Sequence, residues 1–176
     1  MVEWKGTIRL KESAMLPNYR NILIATDLTS NAVHAFKHAV MMARRNNARL
    51  HLLHVVPEID AAVRTYVSTV MGAGSLDHFE KQHEDEARDE MKKRLETFAR
   101  EELADHPEDL DRIAGIEVLH GHPVAQILLE ADRIEADVII LGTHGKGAVE
   151  YTFLGSVAEK VLRKSKRPVF VVPLTP

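Results

Sequence analysis

The chain contains no cysteine. Disulfides, thiolate metal sites and thiol nucleophiles are therefore excluded, and the absence suits a reducing cytosol. There is no basic surplus either: 23 lysines and arginines face 26 aspartates and glutamates, a formal net charge of -3. Nucleic-acid binders usually carry such a surplus, so no nucleic-acid partner is expected. No apolar run approaches the roughly 18 residues that a membrane span requires. The N-terminus, MVEWKGTIRLKESAMLPNYR, mixes charges and holds no continuous apolar segment, so it does not read as a signal peptide. A cytoplasmic protein without a membrane partner is expected. No internal repeat is visible. What is present is ordinary for a globular chain: 176 residues, 45% apolar and 28% charged, enough for one domain with a real core.

Five short apolar runs stand out: NILIA at Asn21–Ala25, LHLLHVV at Leu50–Val56, IEVL at Ile116–Leu119, DVIIL at Asp137–Leu141 and VFVV at Val169–Val172. Nearly continuous apolar runs suit strands covered on both faces, as in a parallel sheet. Helical patterns lie between them. Val33, Phe36, Val40 and Met41 recur at helical spacing after Thr29 or Ser30, either of which can cap the start. Pro123 opens another helix with Val124, Ile127, Leu128 and Ala131 on one face. A last helix starts near Ser156, and its final turn is expected to carry Arg163, Lys164, Lys166 and Arg167, cations that complement the helix dipole. Between Leu76 and about Leu103 a highly charged segment keeps an apolar stripe of Phe79, Ala87, Met91, Leu95 and Phe98. One long amphipathic helix with a solvated outer face is predicted, laced by acid-before-base pairs four residues apart such as Glu90–Arg94 and Glu96–Arg100. The alternation predicts an α/β fold, a doubly wound parallel sheet with helices on both faces. Ligands in such sheets bind at the carboxyl ends of the strands, where the strand order reverses.

The stretch LGTHGKGAVEYTFLGSVAEKV lies at such an end. Gly142, Gly145 and Gly155–Ser156 are its fixed points: G-x-x-G, nine residues, then G-S. Glycine after a buried strand permits a turn with positive φ and a close approach of ligand to backbone. Gly155–Ser156 falls where a helix begins, and free N–H groups with the helix dipole favour an anion such as phosphate there. A bare turn and helix cap is the alternative reading. The spacing is not that of a Walker A loop, and ATDLTSN after the first strand holds no dinucleotide fingerprint.

NILIATDLT, LHLLHVV and DVIILGTHGKGAVEYTFLGSVAEKVLRKSKRPVFVVP together resemble the universal stress protein family, from about Tyr19 to Pro173. The G-2x-G-9x-G-[ST] pattern matches that family's ATP-binding signature without departure, so the resemblance is to its ATP-binding branch. The resemblance implies an open, five-stranded, Rossmann-like sheet of the adenine nucleotide alpha hydrolase type, ordered 3-2-1-4-5. It forms one domain over 19–176, preceded by an extension over 1–18 in which Val2, Trp4, Ile8 and Leu10 are apolar. It implies ATP or another adenine nucleotide as ligand, in many members with Mg2+ or Mn2+. Asp27 would stand on the adenosine side, with Ala25 and Thr26 on the same wall and the Val55 backbone on adenine. Gly142 and Gly145 would wrap the ribose and phosphates, with Thr143 and His144 between them. Gly155, Ser156 and Val157 would meet the phosphates. Val169–Val172, bounded by Pro168 and Pro173, would lie at a sheet edge. An apolar edge is a pairing template, and a two-fold homodimer through it is expected on both grounds.

Other residues have two readings. Asp27 is also a residue type that hydrogen-bonds its own turn. Lys146 sits in the glycine loop, where it either neutralises phosphate or is solvated. The ten histidines invite a metal reading, but HAFKH at His34–His38 lacks the glutamate of a zinc protease motif. His51 and His54, three apart on a strand, point to opposite faces. No metal site and no catalytic residue are assigned. The functional expectation is a dimeric nucleotide-dependent switch with an unspecified protein partner. Its rivals are a slow ATPase or autophosphorylating enzyme, and a scaffold that binds AMP or nothing.

Overall fold

The computed structural model of the chain describes residues 17–58, 65, 69–70, 73–143 and 154–173. Strand β1 (Asn21–Ala25), helix α1 (Ser30–Asn46) and strand β2 (Arg49–Val56) come first. The long helix α2 (Ala73–Glu102), a 3-10 helix (Pro107–Arg112) and strand β3 (Ile113–His120) follow. Helix α3 (Pro123–Arg133), strand β4 (Val138–Gly142), helix α4 (Ser156–Lys164) and strand β5 (Val169–Val172) complete the order. The strands form one sheet, β3-β2-β1-β4-β5, parallel at every pairing.

The apolar runs of β1, β2 and β4 are buried on both faces, as their composition predicts. Ile22, Leu23 and Ile24 are fully buried, although consecutive strand residues point to opposite sides. Ile22, Ile24, Leu50, Leu52, Val138 and Ile140 meet α1 and the end of α2 in one cluster. Leu23, Leu53, Ile139 and Leu141 meet α3 and α4 in the other. Each such buried side chain contributes about 1.5–3 kcal/mol of hydrophobic stabilisation.

The element ends differ from the sequence expectation for local reasons. β3 begins at Ile113 rather than Ile116, because a register shift lets the chain pass Ala114 and resume pairing at Gly115 with His51, a β-bulge. β4 begins after Asp137. That carboxylate instead accepts the backbone N–H groups of Arg20 (2.6 Å) and Asn21 (2.8 Å), tying the entry of β1 to that of β4. α4 ends at Lys164, so Lys166 and Arg167 are not in its last turn. Arg167 donates to the Ala136 carbonyl and to Asp132. Thr29 is the N-cap of α1 but makes no side-chain cap.

Among the described side chains of α2, those near its carboxyl end reach the core. Leu95, Ala99 and Leu103 are buried, and Phe98 packs on Phe36 with ring centres 5.1 Å apart. Met91 is half-buried, while Ala87, expected in the stripe, is exposed. Alanine there serves the helix by propensity rather than by burial. Glu90 and Glu96 pair with Arg94 and Arg100, and Arg88 pairs with Asp85. Phe79 and the apolar residues Val2, Trp4, Ile8 and Leu10 of the extension lie outside the described side chains. A buried clamp fastens the segment after α2. Asp109 accepts from Arg44 of α1 and from Arg112, and the Arg44 guanidinium holds its carboxyl below the usual carboxylate range. No helix among the described residues is long and apolar enough to cross a membrane.

Candidate functional site

β1 has β2 on one side and β4 on the other, so the chain's direction of travel across the sheet reverses beside it. A cleft of about 580 Å³ opens there, at the carboxyl ends of β1 and β4. Open α/β sheets bind ligands at this position. Nine of the expected residues line it: Ala25, Thr26, Asp27, Val55, Gly142 and Thr143, and Gly155, Ser156 and Val157 from the start of α4. His144, Gly145 and Lys146 lie outside the described residues.

The β1–α1 turn builds one wall. Thr26 still bonds to the sheet, its N–H donating to the Leu53 carbonyl at 2.9 Å. Its hydroxyl accepts the Leu28 N–H at 3.1 Å. Leu28 has φ 59, a left-handed conformation that costs a non-glycine residue about 1 kcal/mol. Such strain persists where surroundings enforce it, often at ligand sites. Asp27 closes its own turn. Its Oδ1 accepts the Thr29 N–H (3.1 Å) and hydroxyl (2.7 Å), which holds the Thr29 side chain toward Asp27, where it makes no cap to α1. Its Oδ2 is buried and has no hydrogen-bond partner among the described residues. A buried acceptor without a donor costs about 1–3 kcal/mol, and a bound molecule offering N–H or O–H would remove that cost.

Val55 supplies backbone. Main-chain groups of alternate strand residues point to the same side. The Leu53 carbonyl bonds toward β1, whereas the Val56 carbonyl accepts Gly121 N–H after β3. The Val55 N–H and carbonyl therefore point to the β1 side, past the end of β1 at Ala25. Planar edges with a donor and an acceptor, such as a nucleobase, suit that position.

The opposite wall is the start of α4. The Thr143 N–H donates to the Val172 carbonyl, and the Thr143 carbonyl accepts Gly155 N–H at 2.7 Å. The two ends of the glycine loop are thereby joined at its base. Gly155 is the N-cap of α4 without a side-chain cap, and its own N–H is engaged by Thr143. The donors left toward an anion are those of the first turn, at Ser156, Val157 and Ala158. Gly142 departs from the sequence expectation. It remains strand, paired with Val172, and the glycine in the left-handed region among the described residues is Gly121, φ 130.

His54 is the site residue that sequence reasoning missed. It is 7% exposed, lines the cleft, and its Nδ1 lies 2.7 Å from the Thr26 carbonyl. A carbonyl only accepts, so Nδ1 carries the proton. The ring braces the Thr26–Asp27 turn from β2. The motif LHVV offered a signal: an even position of β2, on the α1 face, beside the end of β1. The His51–His54 reading holds, since His51 lies on the other face, where burial lowers its pKa and leaves its Nε2 without a partner among the described residues. No cluster of three potential metal-ligating side chains occurs among the described residues.

A parallel, doubly wound sheet with a cleft of this kind at its switch point defines an open, Rossmann-like α/β domain. Comparison with known families narrows this. The universal stress protein family model matches residues 18–173, and the chain belongs to that family. Universal stress protein MJ0577 of Methanocaldococcus jannaschii is 31% identical over 158 residues, 88% of this chain and 94% of that protein. The solved structure of MJ0577 superposes with TM-score 0.60 at 28% identity, covering 90% of this chain and 99% of that one. Universal stress protein UspA from Lactobacillus plantarum gives TM-score 0.60 at 27% identity, covering 88% and 98%.

Proposed function

We propose that this protein binds ATP in the cleft between β1 and α4 and acts as a dimeric, nucleotide-dependent switch. The observation that carries the reading is the unpartnered, buried Asp27 Oδ2 on one wall of a cleft whose other wall is a helix N-terminus. One wall wants a hydrogen-bond donor, as an adenosine moiety provides. The other wants an anion, as a phosphate chain provides. The signature glycines at Gly142, Gly145 and Gly155 support the same ligand. Where Mg2+ or Mn2+ accompanies the nucleotide, the Ser156 hydroxyl in the first turn of α4 is the protein group suited to it. The ionisable residues lining the cleft among the described residues are Asp27 and His54. Both belong to the β1–β2 wall rather than to α4.

The second copy would dock on β5. The Ile139 and Thr143 N–H groups donate to the carbonyls of Pro168 and Val172, so alternate residues of β5 face β4. Val169 and Val171 turn their main-chain groups to the open edge. Phe170, 41% exposed, adds an apolar patch there.

Isothermal titration with Mg·ATP tests the reading. One saturable site per chain is expected in the natural protein and none in Gly155→Val, whose side chain would fill the approach to α4. Equal binding by both proteins would overturn the assignment.

A further inference from the structure

We propose that His34 and His38 form a two-histidine site for a borderline divalent transition-metal ion of the nickel, copper and zinc class. The two residues are four apart on α1, so they share one helix face. Their ring centres are 4.8 Å apart and their planes are at 83°. An imidazole nitrogen binds such a metal at about 2.0–2.1 Å, and the ring centre lies roughly 1.1 Å beyond it. Two rings on one metal, at about 90–110° to each other, then have centres about 4.5–5.2 Å apart. The observed spacing falls within that range, so metal capture needs rotation of the rings and no movement of the helix.

The surroundings favour capture. Neither ring has a hydrogen bond or ion pair among the described residues; their contacts are with each other and, for His38, with Phe170 at 6.2 Å. His54 and His106, by contrast, are engaged with Thr26 and Glu108. Lys37 lies beside the pair in sequence, but its ammonium is drawn to Glu102 of α2 at 3.2 Å, which offsets its repulsion of a cation. Both histidines are half-buried and so remain open to solvent on one side. No third histidine or carboxylate joins them among the described residues, so water completes the coordination. Two neutral imidazoles suit nickel, copper and zinc, whereas magnesium and calcium prefer oxygen ligands. Neither histidine lines the cleft, so the site is separate from the proposed nucleotide site.

The test is titration of the full chain, free of any affinity tag and of nucleotide, with Ni2+ and with Zn2+. The natural protein should bind one ion per chain at this site. His34→Ala and His38→Ala should each weaken it at least tenfold, because a single imidazole loses the chelate. His106→Ala should bind as the natural protein does. Ni2+ should raise the melting temperature of the natural protein and not that of His34→Ala/His38→Ala. If that double variant binds both ions as tightly as the natural chain, or the natural chain binds neither ion, the proposal is wrong.

Discussion

The two carboxylate oxygens of Asp27 differ in their surroundings. One closes the turn through Thr29 and the other is buried without a donor. Asp27→Ala should therefore weaken ATP, ADP and AMP alike, by about tenfold or 1.4 kcal/mol, in calorimetric titrations. Loss of ATP with AMP unaffected would contradict its adenosine-side role. His54 acts one step back, through its bond to Thr26. In His54→Asn the amide nitrogen can replace Nδ1, so this variant should keep nucleotide affinity that His54→Leu loses. Asp27 was legible in the sequence as a polar residue just past an apolar strand. His54 was legible only in part: its even position in β2 places it beside the end of β1, but the Thr26 carbonyl it braces is known only from the fold. Asp109 was hidden too: nothing in DHPEDLD sets it apart from the neighbouring carboxylates, yet it is 2% exposed and held by two arginines. Removing it leaves Arg44 without this acceptor and Arg112 with Asn47 alone among the described residues; both guanidiniums reach solvent, so Asp109→Ala should cost about 1–2 kcal/mol in urea unfolding. Its folded pKa is depressed. The clamp's contribution is therefore complete above the unfolded pKa of about 3.9 and fades as pH falls through the lower folded value. Acid titration of the natural protein and of Asp109→Ala should converge there; a constant gap down to pH 2 would show the carboxylate is not the source.

At the scale of elements, strands were more legible than what joins them. Runs such as NILIA and VFVV are short and flanked by polar residues or proline, so their observed limits, Asn21–Ala25 and Val169–Val172, match those expected from the sequence. β3 lies at the other edge and carries a bulge, so its apolar run is broken by Gly115 and its start could not be read. The α2 stripe was drawn too long at Ala87, since helix propensity places alanine on exposed faces as well. β5 gives an element-scale prediction. Val171→Pro removes an N–H that points away from β4, so the sheet should persist while a dimer through this edge dissociates. Sedimentation at several concentrations would show monomer; an unchanged dimer would move the interface elsewhere.

For the molecule as a whole, the alternation of runs and helices fixed a doubly wound sheet, and the observed order β3-β2-β1-β4-β5 puts the cleft where that topology requires. The walls of the site come from segments more than a hundred residues apart, Ala25–Asp27 and Gly155–Val157. Only the family's signature could join them before the fold was known. The central claim is that this cleft holds ATP. The most direct measurement is chromatography of the supernatant released when the purified protein, incubated with excess Mg·ATP and then desalted, is precipitated with acid. Recovery of about one ATP per chain is expected. No recovered nucleotide would contradict the claim, and ADP in its place would make the protein an enzyme that turns ATP over.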